Sequence, residues 1–278
     1  MGTIRIWCPV KWGCIAPPFF QLEGYYKLFD TILREPSQNI SIHIIDIKAL
    51  SPSLINYLDE HFVSICEGDS GTKLSAVKKI IIDFLNTKDS RTKMGATAEF
   101  FLHLYLKHIG FKQECLFLNL EERSIKKGFD GYYSLNDDEY IMESKSGSSK
   151  TNNISHNKKV KEAYTDLKEK LAGESGNNNP WKNAYNHASH IDVGTDSNIR
   201  KNIKQLSDNY QNSIYYEISD FNIIPASTIF LEDIWIDVYS KEIVDTLETL
   251  SSTLEFKKLN IICITKKSLN MFQTYLEE

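Results

Sequence analysis

The sequence contains no apolar run approaching the roughly 20 residues of a membrane-spanning helix, and its first residues lack the basic-then-apolar order of a secretory leader. Both absences predict a soluble, cytoplasmic protein. Cysteine is scarce, with five residues at 8, 14, 66, 115 and 263. An odd count without paired spacings argues against a disulfide framework and against a zinc-finger type of site. Four of the five sit in apolar, strand-like contexts and read as buried thiols. Positive charge is in deficit too, 32 Lys and Arg against 37 Asp and Glu, a formal net charge of −5. That balance argues against a strongly cationic coat for nucleic acid. No internal repeat is evident.

What is present is an ordinary globular composition, 41% hydrophobic and 25% charged. The 278 residues can bury a full core as one large domain or two small ones. Charge is unevenly distributed. Between 145 and 161 there are five lysines (145, 150, 158, 159 and 161) and no acid. Between 217 and 255 there are nine acids against the single Lys241. Phosphate contacts position a nucleic acid without reading its sequence, so positive charge is needed only near a cleft.

The stretch from Gly128 to Lys145 is the most informative. It reads as two strands, Phe129–Leu135 and Glu139–Ser146, joined at Asn136-Asp137, a dipeptide that tolerates positive φ. Counting back from that turn opposes Ser134 to Glu139, Tyr132 to Ile141 and Asp130 to Glu143. Side chains alternate along a strand, so Lys145 shares a face with Glu143. Opposed like charges destabilise a sheet, and the pair calls for a compensating cation, supplied by Lys145 or by a divalent metal. The plain alternative is a solvated hairpin with ordinary surface acids.

Asp130 followed by Glu143-x-Lys145 on the next strand resembles the PD-(D/E)XK nuclease motif. The resemblance implies that Asp130 and Glu143 hold Mg²⁺ (or Mn²⁺) with the main-chain carbonyl of Ser144, while Lys145 orients or activates water. It extends to Gly95-Ala-Thr-Ala-Glu99, which opens the apolar segment to Ile109, because many such nucleases bring a helical Glu to the same metal. Glu99 is therefore a further expected ligand. The proline that often precedes the Asp is absent, Gly128-Phe129 standing there. The family's core order is also matched: a helix with Glu99, a strand at 111–120, the strands with Asp130 and Glu143/Lys145, then a helix. A narrower resemblance, over about residues 89–235, is to the HamA family of Hachiman antiphage defence nucleases and their AbpA-like relatives. It implies DNA as substrate and a HamB-like helicase partner that restrains the nuclease, for which the acidic surface at 217–255 is suited.

Along the chain, residues 4–10 alternate like an edge strand interrupted by Pro9. Gln21–Arg34 has helical spacing, Ile40–Ile47 reads as a strand covered on both sides, and a helix follows Ser51 or Ser53. Phe62–Cys66 reads as a short strand, Leu74–Leu85 as a helix and 86–93 as a polar linker. Glu67 to Ser75 mimics a phosphate-binding loop, but Thr72 separates Gly71 from Lys73, so an ordinary turn is the better reading. His103, one turn from Glu99, is placed either to line the cleft or to be a satisfied core histidine. Ser155 caps a helix whose Lys158, Lys159 and Lys161, with Lys150 before it, either meet phosphates or form a solvated face. Residues 173–196 read as a long connection, in which Trp181 and Tyr185 stack on bases or pack on a partner. His187 and His190 form a possible metal pair without a third ligand. Helices from Ser197 and from about Ser240, strands at Ile223–Leu231 and Leu259–Thr265, and a last helix to Tyr275 complete the chain.

These readings predict an α/β protein, a mixed central sheet flanked by helices with a PD-(D/E)XK core at 89–278 and a small α/β region at 1–88 available for partner docking. The expected activity is Mg²⁺-dependent cleavage of DNA. The rival is the same fold kept as a catalytically silent DNA- or protein-binding module.

Overall fold

A computed structural model describes residues 28–119, 124–125, 128–174, 176, 178–236 and 240–278. In chain order these form β1 (Asp30–Ser37), β2 (Ile40–Ile47), α1 (Pro52–Glu67), α2 (Leu74–Asn86), α3 (Ser90–His108), β3 (Lys112–Gln113), β4 (Leu118–Asn119) and β5 (Ser124–Ile125). Then follow β6 (Gly131–Leu135), β7 (Asp138–Ser148), α4 (His156–Leu171), α5 (Pro180–Ala188), α6 (Ser197–Gln211), β8 (Asn222–Phe230), α7 (Ser240–Ser251), β9 (Lys258–Lys266) and α8 (Asn270–Glu277).

The strands make a mixed sheet in the order β1-β2-β9-β8-β7-β6-β3, with β4 and β5 as a separate ribbon. The strands β2, β9, β8 and β7 are parallel, and β1, β6 and β3 are antiparallel to their neighbours. Both expected regions contribute strands to this one sheet. Its central strands are apolar at both parities because each face is covered. Ile45, Ile47, Met142, Ile224, Ile262 and Ile264 pack with α1, α2, α3 and α8. Ile42, Ile44, Ile141, Ile223, Ile261 and Cys263 pack with α4, α5, α6 and α7.

Local chemistry sets the helix starts. Ser51 accepts the Leu54 N–H at 3.2 Å ahead of Pro52, a residue whose fixed φ and missing N–H suit the first turn. Asp89 accepts from Thr92 N at 2.7 Å, so the expected linker at 86–93 already contains the start of α3. Ser155 accepts from Lys158 N at 3.3 Å, as expected for α4.

Three element assignments change. Residues 30–34 are strand rather than helix, the ladder with β2 overriding the helical spacing, and residues 21–27 of that segment lie outside the described residues. The expected strand at Phe62–Cys66 is the last part of α1: Leu54, Leu58, Phe62 and Ile65 fall on one buried helical stripe. The expected strand at 111–120 reduces to the two short pieces β3 and β4. The expected strand at 4–10 lies outside the described residues. Cys66, Cys115 and Cys263 are buried free thiols. The Glu67–Ser75 stretch is a turn between two helices, with Gly68 and Gly71 at φ 73° and 68°.

Candidate active site

Asn136 turns the hairpin at φ 54°, and the register that follows pairs Ser134 with Glu139, Tyr132 with Ile141 and Gly131 with Met142. The expected register is observed for Ser134–Glu139 and Tyr132–Ile141, while the expected Asp130–Glu143 pair falls beyond the end of the ladder. Strand β6 begins at Gly131 whereas β7 continues to Ser148, so the two strands part where Glu143 begins. At this fork Asp130 accepts the Ser144 N–H at 2.8 Å through Oδ2, taking a backbone donor that a longer β6 would have satisfied. This bond to the residue after Glu143 brings the Asp130 carboxylate close enough to repel that of Glu143.

Parity decides which layer each side chain enters. Ile141 packs against the α4 layer and Met142 against the α3 layer, so Glu143 and Lys145 project toward α4. The Glu143 carboxylate is buried, and both of its oxygens carry an ammonium. Lys145 Nζ donates to Oε1 at 3.0 Å, and Lys170 Nζ donates to Oε2 and, at 2.7 Å, to the Gly128 carbonyl. Lys145 also pairs with Asp166. Burial pushes the Glu143 carboxyl up to about 7; the Asp130 carboxylate adds to this, while Lys170 and Lys145 oppose it. For the Lys145 ammonium burial acts downward, but the Glu143 and Asp166 carboxylates outweigh it and its pKa rises.

Glu99, the further ligand expected from the resemblance, lies on α3. It is buried in the α3 layer across the sheet, where Oε1 lies 3.4 Å from His103 Nε2. His103 Nδ1 in turn meets the Tyr133 hydroxyl. Gly131 gives the Tyr133 ring its space, since a Cβ at Gly131 would lie 2.4 Å from Tyr133 Cε2. Burial raises the Tyr133 phenol well above its ordinary value, and the carboxylates of Glu99 and Asp130 both add to the rise. The Glu99–His103–Tyr133 chain thus approaches the base of the hairpin from the opposite face. Among the described residues no three His, Cys, Asp or Glu side chains are grouped so as to hold a metal ion.

The expected phosphate-binding lysines divide. Lys159, Asp166 and Lys170 are seven and eleven residues apart and share one face of α4. That face runs back along β7, with Lys159 beside Gly147, Asp166 on Lys145 and Lys170 on Glu143. Lys159 also pairs with Glu162 at 2.7 Å. Lys150 is ion-paired with Glu232 at 2.9 Å, and Lys158 and Lys161 are exposed.

The 173–196 connection contains α5, capped by Asn179 with Pro180 at its start. Trp181 is no stacking platform. It is fully buried, edge-on to Phe129 at 4.8 Å and near Phe221 at 5.3 Å. Tyr185 is half-buried against the same core, with Lys204 Nζ 5.8 Å from its ring. His190 lies 3.5 Å from Asp192.

The residues missed in the sequence are Lys170 and Asp166. Neither has a motif spacing to Glu143, and only their shared helical face, directed at the E-x-K strand, marks them. No helix among the described residues is long and apolar enough to cross a membrane. No protein-family model matches the chain, and no curated protein matches it.

Proposed function

We propose that the chain is a metal-dependent phosphodiesterase acting on DNA, with Asp130, Glu143 and Lys145 as its working residues in the manner of PD-(D/E)XK nucleases. One observation carries the reading: at the β6–β7 fork Asp130, fixed by the Ser144 N–H, stands beside buried Glu143, and Lys145 donates to Glu143 at 3.0 Å. The order α3, β3, β6, β7, α4, β8, with the first three strands antiparallel and β8 parallel to β7, supports it.

The donor set fits Mg²⁺ or Mn²⁺ in kind, because carboxylate and carbonyl oxygens are the ligands hard cations take. Asp130, Glu143 and the Ser144 carbonyl would hold the ion, which when bound lowers the pKa of water and offsets charge on phosphate. Lys145 keeps its proton beside Glu143 and Asp166 and so acts as a donor that orients water or a phosphate oxygen. Glu99 contributes from across the sheet through His103 and Tyr133, stiffening the hairpin base. Lys159 lies further along the same face of α4 and suits a neighbouring phosphate.

The defence role and the helicase partner rest on the resemblance to HamA-like nucleases. The acidic segment at 217–255 is the surface proposed for that partner. The rival, a catalytically silent binding module, would keep the fold and lose the chemistry. Plasmid DNA incubated with the pure chain decides between them. Cleavage requiring Mg²⁺ or Mn²⁺ is expected, abolished by EDTA, by Glu143→Ala and by Lys145→Ala in chains that remain folded. Activity that survives EDTA or either substitution refutes the assignment, and no cleavage by the wild-type chain with or without its partner favours the binding module.

A further inference from the structure

Lys145 belongs to the E-x-K strand, but a second lysine occupies the same carboxylate and has no place in the reading above. The Lys170 ammonium reaches three parts of the chain at once. It sits on α4, donates to Glu143 Oε2 on β7, and donates at 2.7 Å to the carbonyl of Gly128, where the hairpin begins. Its side chain is only 17% exposed. A surface lysine that gained nothing from this position would keep its rotamer freedom in water, since burying such a chain costs up to about 2 kcal/mol of side-chain entropy.

The partners are arranged so that the two lysines are not equivalent. Lys145 engages Glu143 Oε1 and is also tied to Asp166, so it has a second carboxylate to keep. The second partner of Lys170 is a neutral carbonyl. A cation approaching Glu143 therefore meets one oxygen held by a doubly paired lysine and another held by a lysine that can retreat to Gly128. Of the two, Lys170 is the replaceable one.

We propose that Lys170 is a positioning residue: it holds Glu143 and the hairpin base in place in the metal-free chain, then cedes Glu143 Oε2 to the divalent ion while keeping the Gly128 carbonyl. This inference rests on the metal-dependent reading of the site. It makes Lys170 a competitor of the metal, so its removal tightens binding, whereas the loss of a merely structural residue would loosen it.

The test is Mn²⁺ binding without DNA, measured by calorimetry on the full chain and on the Lys170→Met, Lys170→Arg and Asp130→Asn variants. If Lys170 occupies Glu143 in about nine molecules in ten, Lys170→Met should bind Mn²⁺ about tenfold more tightly. Lys170→Arg should bind like wild type, and Asp130→Asn should bind weakly. Equal or weaker binding by Lys170→Met, with wild type binding and Asp130→Asn impaired, overturns the inference and leaves the nuclease reading standing. Absence of Mn²⁺ binding by the wild-type chain overturns both. A second measurement covers failure of Lys170→Met to fold. In wild type, the side-chain ¹⁵Nζ resonance of Lys170, identified by its loss in Lys170→Arg, should move on saturation with Mg²⁺. A resonance that stays in place also overturns the proposal.

Discussion

Replacing Glu143 with glutamine should make the metal-free protein more stable at alkaline pH, although Glu143 lies between two lysines. The carboxyl is only 3% exposed. Burial first, and Asp130 second, push it up to about 7 against the pull of Lys170 and Lys145. The unfolded chain ionises this group through its ordinary value of 4.5, the folded chain only near 7. Between those values the unfolded state binds fewer protons, so stability falls as pH rises through the window and stays reduced above it. At about 1.4 kcal/mol per pH unit, the folded chain carries a penalty of about 3 kcal/mol at pH 8. Glutamine cannot ionise, so Glu143→Gln should gain about 3 kcal/mol at pH 8 and almost nothing at pH 4.5. The competing expectation has the opposite sign: if the two ion pairs dominate, breaking them costs about 3–5 kcal/mol. Urea unfolding in EDTA at pH 8 and pH 5, with m compared to confirm the same transition, separates the two. A loss of stability at pH 8 would refute the reasoning.

Two further outcomes concern groups away from the fork. His43 and His156 are both held down to about 4 by burial, His156 between the hydroxyls of Ser227 and Thr265. The unfolded histidines take up protons through 6.5 and the folded ones do not, so stability should fall between about pH 6.5 and 4, by about 2 kcal/mol for each histidine at pH 5. Unfolding should be followed in the Glu143→Gln background, because relief at Glu143 acts oppositely in the same range; a flat profile there contradicts the assignment. Lys266 is fully buried with no hydrogen-bond acceptor among the described residues, its Nζ 4.6 Å from the Phe101 ring, and burial pushes the ammonium down to about 7. The unfolded lysine keeps its proton to 10.5, so stability rises with pH between about 7 and 10.5. Lys266→Met should therefore add about 4 kcal/mol at pH 7 and little at pH 10.5, and a destabilised variant at pH 7 would count against it.

The hairpin was legible because three local signals agree: a positive-φ dipeptide, alternating side chains and two strands of suitable length. Strand β2 was legible from its apolar residues at both parities, and the starts of α1 and α4 from Ser51 and Ser155. The failures have physical causes. Residues 30–34 carry helical spacing, but pairing with β2 decides their state, and such pairing leaves no mark within the segment. Phe62–Cys66 is β-prone in composition, yet its stripe continues that of Leu54 and Leu58, so reading the longer window would have found the helix. Asn179-Pro180 signalled a helix start inside what read as loop, and with it the burial of Trp181. Glu99 was named from the resemblance alone, because order along the chain does not say which face of the sheet a helix covers.

That last distinction bears most directly on the site. Ile141 and Met142 are adjacent and both buried, one in each layer, which fixes the phase of β7 against the sheet. A slip of one residue would turn Glu143 and Lys145 into the α3 layer and expose two apolar side chains to the wrong neighbours. The apolar pair therefore sets the direction of the charged pair two positions on. Helix α4 answers with its own phase: Leu167 and Leu171 pack into the core, which leaves Asp166 and Lys170 at the margin facing Lys145 and Glu143. Strand and helix present acid and base in opposite order because the helix runs back along the strand. The match therefore follows from the packing of a β7–α4 crossover and needs no separate device. Chemistry at the fork is in this sense a consequence of which leucines and isoleucines are buried. Substitutions that rephase either element should disturb the site as surely as substitutions of its charges.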